Sequence, residues 1–188
     1  MTMVEVGDLT PIKTGDVQNK EILKKLLFYI IAKRQKSTKT ELVKLSFLID
    51  YEYAQKIKQN ISYSTVTYVR YNYGPYADAF TEALEELERE GKIRNDFDNP
   101  EVHKYEYVLT TEKVKNESED ILKDDIIRAI VQKVLSENKE KNLTEIKGIV
   151  YSLYEVKNTP FLGEIVLFKE GDQNNRKGTP LEIGKWRR

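Results

Sequence analysis

Tyr68-Val69-Arg70-Tyr71-Asn72-Tyr73-Gly74-Pro75-Tyr76 joins an aromatic and β-branched run, favourable to a strand, to a Gly-Pro step that ends it. Proline suits the first position of a helix, so the step predicts a strand over residues 64–71 and a helix opening at Pro75. Four tyrosines and one arginine fall within these nine residues, and no neighbouring aliphatic run is long enough to bury them all. Tyr and Arg supply much of the energy of binding surfaces, because each combines large contact area with a polar handle. The stretch therefore reads as a binding surface at a structural junction rather than a reaction centre. Its candidate contact residues are Tyr68, Arg70, Tyr73, Gly74, Pro75 and Tyr76, with Lys44 added from the preceding helix. Each has a structural alternative. The tyrosines could form a packing joint, Arg70 could hydrogen-bond the last carbonyls of a helix, and the Lys44 stem could cover core surface.

Working outward, apolar residues at helical spacing mark the flanking elements. Ile22, Leu23, Leu26, Leu27, Ile30 and Ile31 share one face of a first helix, and the basic run 33–36 suits its C-terminal dipole. Thr38 with Glu41 forms a capping box that opens a second helix. That helix is apolar on two faces, so it belongs inside the domain. A third helix runs from Pro75 to a stop at Gly91, with Tyr76, Phe80, Ala83, Leu84 and Leu87 inward. Its outer face carries Asp78, Glu82, Glu85, Glu86, Glu88 and Glu90 against Arg89. Strands are expected over residues 92–97 and 103–110, joined by the turn Asp98-Asn99-Pro100-Glu101. A fourth helix is expected over residues 118–138, and a fifth from Asn142 to the Thr159-Pro160 stop. Residues 1–18 read as an arm, residues 19–168 as one domain, and residues 169–188 as a flexible polar and basic tail. The fold class is α+β, predominantly helical: about five main helices with a β-hairpin, open to a winged-helix-like core arrangement.

Composition excludes several functions. The 31 basic and 31 acidic residues balance, so no net field draws nucleic acid or anionic membrane. Cysteine is absent, which removes disulfides, thiolate catalysis and cysteine metal ligands. His103 is the single histidine, so histidine metal sites and Ser-His-Asp triads lack their parts. There is no phosphate-binding glycine loop and no nucleophile elbow. No apolar run approaches the roughly 18 residues that span a bilayer, and the N-terminus lacks a signal-peptide pattern. A cytoplasmic, non-enzymatic protein without cofactor or metal is expected. The acidic third helix and the long connection before it argue against groove reading by a helix-turn-helix, whose turn has only about three or four residues.

Leu42, Lys44-Leu45, Asp50-Tyr51-Glu52-Tyr53, Tyr68-Val69-Arg70, Tyr73-Gly74-Pro75 and the run from Leu84-Glu85-Glu86-Leu87 through Glu90-Gly91-Lys92-Ile93 resemble, in order and spacing, the Panacea domain. This is the SocA-like antitoxin family, also met as phage-associated proteins. The resemblance covers residues 22–110, and Gly163-Glu164-Ile165 is similar to the family's C-terminal end. Ser46-Phe47-Leu48 and Tyr76-Ala77 depart from the family pattern. The resemblance implies an antitoxin that neutralises a neighbouring toxin by direct contact. From the founding member it also implies delivery of that toxin to a ClpXP-type protease. The alternatives are a winged-helix nucleic-acid-binding transcriptional regulator and a phage-derived scaffold without a toxin partner.

Overall fold

The computed structural model describes residues 18–96, 106–111, 122 and 124–170. Expectations for the arm before residue 18, for the turn over residues 98–101 and His103, and for residues 171–188 lie outside them. Helix α1 (Lys20–Arg34) starts where the Asn19 side chain accepts from the Glu21 amide. Strand β1 (Lys36–Thr38) follows at once, a strand that the basic composition of residues 33–36 conceals. The expected capping box of Thr38 and Glu41 opens α2 (Lys39–Ile57), which carries ten buried residues and runs through the middle of the core.

Next come β2 (Val69–Tyr71), β3 (Gly74–Tyr76) and α3 (Ala79–Arg89). Pro75 thus lies in a strand and does not open the third helix. Its register partner Arg70 explains why this is tolerated. The Arg70 amide donates to the Gly163 carbonyl (2.9 Å) and its carbonyl accepts from the Leu162 amide (2.7 Å). The backbone of Arg70 therefore faces away from β3, and the missing N–H of Pro75 leaves no ladder bond unmade. Segment 162–165 flanks the other side of β2, with Val69 bridged to Glu164. The expected strand over residues 64–71 is correspondingly reduced to three residues.

Gly91, at φ +68°, lies just beyond the end of α3 as expected. Strands β4 (Ile93–Asp96) and β5 (Glu106–Leu109) then join β1 in an antiparallel sheet of order β1-β5-β4. A first strand between the first two helices, paired to the far strand of a later hairpin, is winged-helix connectivity. Helix α4 (Asp125–Glu137) begins after Asp124, whose side chain accepts from the Ile126 and Ile127 amides. Of the helix expected over residues 118–138, residues 118–121 and 123 lie outside the described residues, and Leu122 is buried. Asn142 and Glu145 form a second capping box, opening α5 (Leu143–Ser152). The expected fifth helix is two: Leu153 is extended (φ −65°, ψ 134°), and α6 (Tyr154–Asn158) follows as a separate piece. One hydrophobic core joins α1, α2, α3, α4, α5 and the segment over residues 165–168.

Candidate protein-binding site on the tyrosine hairpin

The β2–β3 hairpin is layered, and the layers sort the sequence-predicted residues. Tyr68 is the innermost, 1% exposed, packed edge-on against Phe47 at 5.0 Å. Its hydroxyl donates to Asp50 Oδ2 (2.8 Å). Asp50 is fully buried on α2 and accepts further from the Ser64 amide (2.8 Å) and the Ser64 hydroxyl. Burial pushes its carboxyl up to about 6, against the pull of these donors. Tyr68 is therefore a core residue and not a surface contact. A buried phenol needs a partner, and Asp50, on a helix in the core, supplies it.

The middle layer holds Gly74, Pro75 and Lys44, all buried. Lys44 is 3% exposed and its ammonium donates to the Pro75 carbonyl (2.8 Å). Burial draws this amine down to about 8, with the nearby positive charge of Lys147 adding to the effect. Gly74 takes φ +84°, a left-handed conformation that follows tight hairpin turns. A Cβ there would lie 2.6 Å from Cε1 of Tyr151 on α5. These three residues support a surface from beneath and do not form it. Arg70 follows its structural alternative: Nη1 donates to the carbonyls of Thr159 and Lys157 at the end of α6. Its side chain is still partly accessible.

The outer layer is aromatic. Tyr73 is 68% exposed, Phe161 56% and Tyr71 44%. Tyr71 stacks on Phe161 (centroids 5.7 Å, 28°) and lies 5.8 Å from Tyr76. Lys147 of α5 sits 5.5 Å above the Tyr73 ring, and Lys39 of α2 lies 5.9 Å from that of half-buried Tyr76. Burial and a hydrogen bond to Asp78 push the Tyr76 phenol up. Of the residues selected from sequence, Tyr73, Tyr76 and Arg70 reach this face. Sequence reasoning missed Phe161 and Lys147, which come from segments about 75 to 90 residues downstream and carry no local motif.

Part of the acidic outer face of α3 is engaged in ion pairs. Lys20 pairs with Glu82 and Glu86, and Lys24 reaches Glu21, Glu86 and Glu90. Lys92 adds a further pair with Glu90. Glu82, Glu86 and Glu90 tie α3 and its C-cap to α1, and Glu85 is left as an outward carboxylate. Among the described residues, no cluster of three or more acidic or histidine side chains is arranged to hold a metal. No helix among them is long and apolar enough to cross a membrane.

The family model of the antitoxin SocA-like Panacea domain matches residues 42–154, well over half of the chain. The chain belongs to this family. The match takes in Lys44, Asp50, the whole tyrosine hairpin, Lys147 and Tyr151, whereas Phe161 lies beyond its end. It also reaches past the resemblance read from sequence, to α4 and α5. The Panacea domain here thus contains both supports of the hairpin, α2 and α5. No significant match to a curated protein or to a solved structure was found.

Proposed function

We propose that this Panacea domain neutralises a protein toxin by direct contact through Tyr71, Tyr73, Tyr76 and Phe161, with no chemistry of its own. The carrying observation is Tyr73, a large ring two-thirds exposed on a hairpin whose backbone is held from beneath by Lys44 and Tyr151. A preordered aromatic face loses little conformational entropy on docking, which favours affinity. Family membership supports a toxin as the partner, and we place the encounter in the cytoplasm. Delivery of the bound toxin to a ClpXP-type protease would then require a second surface outside this hairpin.

The test is co-expression with the product of the neighbouring gene. Tyr73→Ala and Phe161→Ala should each release the toxin from neutralisation, while circular dichroism and melting stay near the parent's. Retained neutralisation by both variants would place the contact elsewhere. The winged-helix connectivity favours a second reading, a nucleic-acid-binding regulator. Gel shifts across a salt series separate the two, since phosphate contacts weaken steeply with salt.

A further inference from the structure

The aromatic face carries cations that no carboxylate among the described residues pairs with. Among the described residues, neither Arg70 nor Lys147 forms an ion pair with a carboxylate. Arg70 commits Nη1 to two carbonyls, and its remaining N–H groups have no partner among the described residues. Lys147 rests on the face of Tyr73, and Lys44 lies beneath the same turn. Lys39 is different, because Asp78 and Glu85 stand near it. Glu82, Glu86 and Glu90, in and just after α3, are turned to Lys20, Lys24 and Lys92 instead. A chain with no net charge thus presents a locally positive aromatic surface.

We propose that the segment received by this surface is acidic and apolar together: carboxylates opposite Arg70 and Lys147, and an apolar side chain against Tyr71, Tyr73 and Phe161. The proposal rests on the protein-binding reading above and names the chemistry of the partner. A guanidinium with N–H groups beyond its two carbonyl contacts suits a carboxylate, and the Lys147 ammonium on the face of Tyr73 places a second positive charge where an anion beside that ring would meet it. A single-stranded nucleic acid would meet the same charge, yet Tyr71 and Phe161 already stack on each other and leave one ring face each for bases.

The probe is a fluorescent peptide of alternating glutamate and leucine around one tryptophan, measured by anisotropy against the full chain. Its controls are the glutamine analogue and an oligothymidylate. The acidic peptide should bind at least about tenfold more tightly than the glutamine analogue and weaken as salt rises, because the contact is electrostatic. Lys147→Glu should lose that preference, Lys147→Gln should reduce it, and Tyr73→Ala should weaken both peptides. Absent binding, equal binding of the two peptides, indifference to Lys147→Glu, or tighter binding of the oligonucleotide would each overturn the proposal. The toxin assay separates the two readings. If Tyr73→Ala abolishes neutralisation and Lys147→Glu does not, the surface stands and the acidic partner falls; if neither variant matters, both fall.

Discussion

Asp50→Asn tests the physical account of the hairpin's anchor. The Asp50 carboxylate is fully buried, with Ser64, Tyr68 and the Tyr63 backbone as donors and no cation among the described residues shown against it. Its folded pKa, about 6, exceeds its ordinary 3.8. The folded state therefore holds the proton more tightly than the unfolded chain. The stability linked to that proton is fully present below the unfolded pKa and is lost as pH rises through the folded pKa. At 1.36 kcal/mol per unit, the shift corresponds to a cost of about 3 kcal/mol at neutral pH, accumulating between about pH 4 and about pH 6. Asparagine has the same shape and no charge. Its carbonyl oxygen can still accept from the Ser64 amide, and the Ser64 and Tyr68 hydroxyls can rotate to accept from its amide. The assay is urea unfolding of parent and variant from pH 4.5 to 7.5. The variant should gain on the parent as pH rises, by about 2 kcal/mol across the series, and the difference should flatten above pH 7. A difference independent of pH, or one moving in the parent's favour, would refute the reasoning. The first result would mean that the donors balance the burial of the charge, the second that they outweigh it.

Gly74→Ala should destabilise the domain by about 1–3 kcal/mol in denaturant unfolding, since alanine must adopt a left-handed φ with its Cβ against the Tyr151 ring. An unchanged midpoint would show that the hairpin is not pressed on α5. Lys44→Met probes the other support. The folded pKa of Lys44, about 8, lies below its ordinary 10.5, so the parent should gain stability as pH climbs from about 8 toward 10.5, by on the order of 3 kcal/mol. The methionine variant should lack that gain, and parallel pH profiles for the two proteins would show that the ammonium is solvated.

The sequence by itself determined what depends on residues a few positions apart. The helical periods, the capping boxes of Thr38 with Glu41 and Asn142 with Glu145, and the glycine stop at Gly91 are such features. Each is settled within one turn of backbone, and each was legible. The tertiary structure decided what depends on partners far along the chain. Tyr68 and Tyr71 are the same residue type three positions apart. One is drawn inward by a carboxylate eighteen residues earlier, and the other turns outward to stack on Phe161. Pro75 looked like a helix start because local preference favours it there. It sits in a strand because segment 162–165 takes the backbone groups of Arg70 from the opposite side. The fifth helix broke at Leu153, and the piece beyond it brings the carbonyls of Lys157 and Thr159 to Arg70. Local propensities of about 1 kcal/mol or less yield to such contacts, because burial and satisfied buried hydrogen bonds weigh more.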